Sequence, residues 1–423
     1  MTALYNGVQY VLGLGATVIL PLAIFVIAVC FRVNVSKAFR SAITIGIGFV
    51  GINLVIGLLT DSLGPAAHAM VKNFGLHLTI LDTGWPSAAA ASWATPVAAI
   101  LIPLCLLLNI VLLLLKATKT LDIDIWNYWH FIAAGATGYI VTGGNWWFSI
   151  LCAFIYEVIV LIIADRCAPL TQGFYGLEGI TCPTGSTAAC GLIGMPIGWV
   201  ISKIPGIGKL KADPETIQKR FGIFGEPAIM GLLIGIIIGL LGGYDIGAAF
   251  KLGISLGGVM FLMPRMVKIL MEGLIPVSDS IRDTVSKNFH GREINLGLDA
   301  ALTIGHPANI ATGLILVPIT LLLAVIIPGN KVLPFGDLAT IPFYVSFIVA
   351  SRKGNIIHSV LAGMVVISLA LLMATNFGPV HTEMMRGVYN FPKGVTEVSS
   401  LDMGGNILNW AILKFSQLIH TIL

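Results

Sequence analysis

The chain has 423 residues, of which 57% are hydrophobic and only 10% charged, with a formal net charge of +4. Soluble domains hold roughly 45–50% apolar and about 25% charged residues, so a soluble enzyme or a nucleic-acid-binding module is excluded. Mean hydropathy is +0.93, and apolar runs of about 20 residues, enough to cross a ~30 Å hydrocarbon core, recur along the chain; the short alternating segments of a barrel are missing.

The expectation is an all-α polytopic membrane protein. In chain order, spans are expected near 10–30, 41–60, 96–115, 129–142, 146–164, 228–243, 247–263, 308–327, 341–351 and 356–375. A C-terminal apolar segment brings the total to about 10–11 helices. The first run is too long for a signal-peptide core and has no basic residue before it. Arg32, Lys37 and Arg40 follow it, and Lys116 and Lys119 follow the third. Further basic residues gather at 203–220, at 265–292 and at Arg352–Lys353. Placing all of them in the cytoplasm satisfies the positive-inside rule with one threading, which puts the N-terminus outside. The six cysteines show no Cys-x-x-Cys pair and read as small buried residues. No His or Cys cluster has metal spacing, so neither metal nor cofactor is expected.

An internal repeat is visible. "KAFRSAITIGIGFVGINLVIGLLTDSLGP" (37–65) matches "AAFKLGISLGGVMFLMPRMVKILMEGLIP" (248–276) without a gap at an offset of 211 (248 − 37), aligning Asp61 with Glu272 and Pro65 with Pro276. Later, "LDTGWPS" resembles "LDAALTIGHP", aligning Asp82 with Asp299, and Asp124 falls opposite Asp337. In the threading above, 41–60 runs outward and 247–263 inward, which is the inverted-topology plan of many alternating-access transporters. The expected division is 1–165 as first repeat, 166–218 as hairpin and basic loop, 219–377 as second repeat, and 378–423 as C-terminal loop and last apolar segment.

A carboxylate at membrane depth costs at least ~2.5–3.5 kcal/mol, and Gly and Pro break helices. The segments near 82–95 and 298–307 therefore read as re-entrant hairpin tips, with Asp82, Asp299 and His306 facing a cavity. The competing reading makes both aspartates caps of the helices that follow. Glu178, in "FYGLEGITCPTGSTAACGLIGMP", marks a third candidate hairpin and is either ligand-facing or a cap. Asn127 and His130 lie in "DIWNYWHF", where a histidine among aromatics is also consistent with packing. Glu226 precedes Pro227 and suits a helix N-terminus equally well. Asp337 and Thr340 complete the candidates. Cys182-Pro-Thr-Gly-Ser-Thr has the look of a phosphate loop, but it lies between membrane segments rather than in a strand–loop–helix unit of a soluble domain.

Together "IGIGFVGINLVIGLLTDSLGPAA", "LDTGWPS", "DIWNYWHF", "LEGITCPTG", "IQKRFGIFGEP", "GLDAALTIGHP" and "PGNKVLPFGDLAT" resemble the galactitol-type enzyme IIC of the bacterial phosphoenolpyruvate-dependent sugar phosphotransferase system, in the ascorbate/galactitol superfamily. The resemblance implies a homodimer in the inner membrane whose substrate-binding core moves by an elevator-like shift. It also implies a galactitol-like polyol as substrate, and a cytoplasmic IIB protein, phosphorylated through IIA, that phosphorylates the bound polyol from a cysteine of its own. Carboxylates accept hydrogen bonds from paired hydroxyls, and Asp299 or His306 is the expected base. Members of this family usually continue into one more span and a basic tail, so 404–423 is expected either to span or to pair with 177–200. The competing function is a stand-alone proton-coupled transporter of polyols or sugars; a membrane enzyme acting alone has no catalytic domain to support it.

Overall fold

The computed structural model describes residues 16–30, 33–73, 75, 78–124, 126–216, 223, 226–288, 293–334, 336–386, 391 and 395–422. The expectations made on the segment before Ala16 and on Arg32, Lys219, Arg220 and Arg292 fall outside these residues.

Helices dominate. In chain order they are α1 (Ala16–Cys30), α2 (Val35–Asn73), α3 (Gly84–Ala94), α4 (Ala98–Leu114), α5 (Tyr128–Val141), α6 (Trp146–Tyr175) and α7 (Gly185–Ile201). After the basic loop come α8 (Pro227–Leu241), α9 (Ile246–Asn288), α10 (Pro307–Ile326), α11 (Ile341–Tyr344), α12 (Ser346–Ser351), α13 (Ile356–Met385) and α14 (Ile407–Ile422). Five described stretches are long and apolar enough to cross a membrane: Val35–Ala66, Trp146–Tyr175, Ile246–Leu270, Pro307–Ile326 and Ile356–Met385. The pair α3–α4 bends by 97° at its break, where Thr95-Pro96 interrupts the backbone ladder. With 39 and 43 residues, α2 and α9 run ~58 and ~65 Å and overshoot the expected spans at both ends.

Order recurs between the halves. Helices α6 and α13 are each 30 residues long, and each is capped by an asparagine whose side chain accepts from a backbone N–H three residues on, Asn145 from Phe148 and Asn355 from His358. Each also carries a proline at the same position, Pro169 and Pro379. Like α7 after the strand at 180–181, α14 follows a strand at 397–399. The described cysteines 105, 152, 167, 182 and 190 are buried.

An all-α expectation misses six short strands: β1 (Ile80–Asp82), β2 (Thr120–Asp122), β3 (Ile180–Thr181), β4 (Asn295–Gly297), β5 (Val332–Leu333) and β6 (Glu397–Ser399). They form two three-stranded parallel sheets, ordered β5–β1–β6 and β2–β4–β3. Each sheet joins strands from both halves. Ile80 pairs with Val332 and Glu397, while Leu296 pairs with Leu121 and Ile180. Their physical role is to satisfy backbone N–H and C=O groups where helices are interrupted inside the protein. Because the strands of each sheet are parallel, three loops leave from one edge of each.

Candidate functional site

Five of the six strands lead into an aspartate. Asp82 ends β1, Asp122 ends β2 with Asp124 two residues on, Asp299 follows β4, Asp337 follows β5, and Asp402 follows β6. The exception is β3, which is followed by Thr184. Parallel pairing brings these loops to the carboxyl edge of each sheet, the place where parallel sheets generally present their binding residues.

At the first sheet the loops are tied to one another. Asp82 Oδ2 accepts the Asp337 N–H (2.8 Å), and its Oδ1 accepts from the N–H groups of Gly84 (3.1 Å) and Leu401 (3.4 Å). Asp337 Oδ1 accepts from the Trp85 N–H (2.7 Å) and the Thr340 hydroxyl (3.4 Å); its Oδ2 accepts from the Ser400 hydroxyl (2.7 Å) and the Asp402 N–H (2.9 Å). Here the chains touch at Gly84 and Gly336. A Cβ on Gly336 would stand 2.3 Å from the Gly84 nitrogen, and Gly84 has φ +77°. No side chain fits there.

The second sheet is tied in the same manner. Asp124 Oδ1 accepts the Trp126 N–H and Oδ2 the Asp299 N–H, each at 3.1 Å. Asp122 Oδ1 accepts from Asn127 Nδ2 (2.9 Å), whose own Oδ1 accepts the Thr184 hydroxyl (3.0 Å); the Thr184 oxygen in turn accepts the Ala300 N–H (2.8 Å). Asp299 is half-buried, and its Oδ1 accepts the Ala301 N–H at 2.6 Å. Burial, followed by the Asp124 carboxylate, raises the Asp299 carboxyl above the ordinary range.

Among the described residues, polar contacts join the surroundings of one sheet to those of the other, and Trp85 packs edge-on against Trp126. His130 Nε2 lies 3.5 Å from Asp402 Oδ1, with both residues buried. Asn406 Nδ2 donates to the Tyr156 hydroxyl (2.9 Å) and to the Gly185 carbonyl (3.2 Å). Among the described residues the buried charged side chains are all acidic (Asp82, Asp122, Asp124, Glu157, Asp337 and Asp402), and no Lys or Arg is buried. No three His, Cys, Asp or Glu side chains among the described residues are arranged to hold a metal ion.

The residues singled out from sequence therefore separate. Asp82, Asp299, Asp337, Thr340, Asn127 and His130 belong to this hub. Glu178, in the turn before β3, and Glu226, before Pro227 of α8, are exposed, and the Glu226 side chain makes no cap bond. His306 caps α10: its Nδ1 accepts the Ala308 N–H at 3.2 Å, and its ring packs on Phe174 with centroids 4.4 Å apart. It borders a cavity of about 360 Å³ shared with Asp213, Glu215 and Lys353. With Nδ1 occupied, neutral His306 offers Nε2–H as a donor, which is not the arrangement of a free base. Sequence reasoning passed over Asp122, Thr184 and Asp402. A signal was present: Leu-Asp stands at 81–82, 121–122, 298–299 and 401–402, each time at or just after a strand end.

Comparison with known proteins shows the family. The chain is 40% identical over 406 residues to the PTS system galactitol-specific EIIC component of Escherichia coli strain K12, covering 96% of this chain and 90% of the relative. The counterpart in Escherichia coli O157:H7 matches equally. A putative permease IIC component of strain K12 is 38% identical over 411 residues, covering 97% and 94% of the two chains. Residues 10–394 match the EIIC-GAT family, the sugar-specific permease component of the PTS system, and the chain belongs to that family.

Proposed function

We propose that this protein binds galactitol, or a closely similar alditol, at the hub between the two sheets, carries it across the inner membrane, and presents it to a separate IIB protein for phosphorylation. The observation that carries this reading is the hub itself: buried hydrogen-bond acceptors without a buried cation, in a chain 40% identical to a galactitol-specific component. A polyol is neutral and offers a row of hydroxyl donors, which carboxylates accept in pairs. Asp299 is the first choice for such a contact, because its second oxygen makes no bond to a described residue.

The halves 1–165 and 219–377 act as inverted repeats, linked through 166–218 and closed by 378–423. In support, α6 and α13 agree in length, cap and proline, and the sheets pair strands crosswise. The correspondence extends to β3–α7 and β6–α14, which reads 404–423 as the partner of 177–200. The 97° bend between α3 and α4 and the interruption at 298–307 fit re-entrant tips. A homodimer with an elevator-like core, and an N-terminus on the outer side, complete the reading.

Labelled galactitol in membrane vesicles tests it. Accumulation of a phosphorylated product only when phosphoenolpyruvate and the soluble phosphocarriers are present is the expected result. Accumulation of free galactitol driven by a proton gradient would overturn it in favour of a proton-coupled transporter.

A further inference from the structure

If a hydroxyl of the bound polyol attacks a phosphoryl group, some residue has to receive its proton. The sequence suggests Asp299 or His306, yet Asp299 is taken above to hold the polyol hydroxyls through its second oxygen, and Nδ1 of His306 holds the Ala308 N–H. His130 is placed differently. It is 1% exposed, its Nε2 lies 3.5 Å from Asp402 Oδ1, and its Nδ1 is buried without a hydrogen-bond partner.

The ring is held among aromatic neighbours. Trp129 lies with its centroid 3.7 Å away, and Tyr156 lies nearly parallel at 6.4 Å and 11°. Gly185 closes the edge, since a Cβ there would stand 2.5 Å from His130 Cγ and 2.6 Å from the Tyr156 hydroxyl. Asn406 holds both Tyr156 and Gly185. Asp402 is fixed in turn by its N–H on Asp337. A carboxylate facing Nε2 favours the neutral tautomer that carries its proton there, which leaves Nδ1 as a lone pair. The dyad also breaks the likeness of the halves. At the offset that relates Asp124 to Asp337, Phe343 stands opposite His130, and Thr184 occupies after β3 the place that Asp402 takes after β6.

We propose that His130 is the proton acceptor for the substrate hydroxyl, with Asp402 as the positioning residue that fixes its tautomer. This inference rests on the function proposed above. In the step, the hydroxyl oxygen bonds to the phosphorus of a cysteinyl thiophosphate on the cytoplasmic partner protein, and the S–P bond breaks to leave a thiolate. The hydroxyl proton passes to His130 Nδ1, and the imidazolium is drawn to Asp402, shortening the present 3.5 Å contact.

The test uses purified full-length protein with galactitol and the phosphorylated partner protein, measuring galactitol binding and the rate of phosphorylation separately. His130→Gln is expected to keep binding within about threefold while phosphorylation falls about 100-fold or more. Asp402→Asn, which leaves its backbone bond to Asp337 intact, is expected to lower the rate by at least about tenfold with binding again retained. Should His130→Gln fail to fold, Asp402→Asn carries the test alone. A rate within about tenfold of wild type in His130→Gln overturns the proposal, as does loss of binding in step with turnover in every variant that folds. The wild type is the control for the underlying reading: if it forms no phosphorylated product, that reading fails, whereas product formed equally by wild type and His130→Gln defeats this inference alone.

Discussion

Asp299 and Asp337 both lie in loops after a strand, β4 and β5, and share the same chemistry, but the bonds around them differ. Asp337 accepts four hydrogen bonds from two other loop segments and its own turn, whereas Asp299 accepts one. Replacing Asp337 by Asn turns an NH₂ toward donors that need an acceptor, at a cost of roughly 1–3 kcal/mol for each group left unsatisfied. Asp337→Asn should therefore lower the melting temperature in detergent along with activity. In Asp299→Asn the remaining carbonyl still accepts the Ala301 N–H, so melting should be unchanged while galactitol affinity drops about tenfold or more. Titration calorimetry and thermal unfolding on the two variants separate these outcomes. From sequence alone both aspartates are substrate-binding candidates, since a motif shows the residue but not how many donors converge on it.

Most helices were legible because a long apolar run is a strong signal, and limits follow caps such as Asn145 and Asn355; the single span expected at 341–351 is instead the two short helices α11 and α12. Replacing either cap by Ala should cost about 1 kcal/mol, a shift visible as a lower midpoint in thermal melts of the purified protein. The strands were not legible. Two or three residues are too few for a period-two pattern, and their partners lie far apart in sequence, as with Ile80 and Val332. Leu401–Asp402 escaped notice for the same reason: it gains meaning only once β6 pairs beside β1. These pairings rest on close approach, which gives a second test among the elements. Gly336→Ala forces apart the loops that carry Asp82 and Asp337, and overpacking of this kind costs about 1–3 kcal/mol. It should reduce the yield of folded protein and weaken galactitol binding together, measured by size-exclusion chromatography and calorimetry.

Among the described residues, the buried acids stand without a buried Lys or Arg to balance them. That imbalance suits a neutral polyol, but on the proposed reaction the occupant becomes charged during the cycle, because phosphorylation turns it into a dianion. A carboxylate about 6 Å away opposes each new charge by roughly 3 kcal/mol at an effective dielectric of about 20. The same groups that hold the substrate then expel the product. Galactitol phosphate should accordingly fail to compete with labelled galactitol at concentrations where unlabelled galactitol competes fully. If the proposed function holds, uptake gains a direction from this repulsion as well as from the phosphorylation: the pocket recaptures what has not reacted and refuses what has.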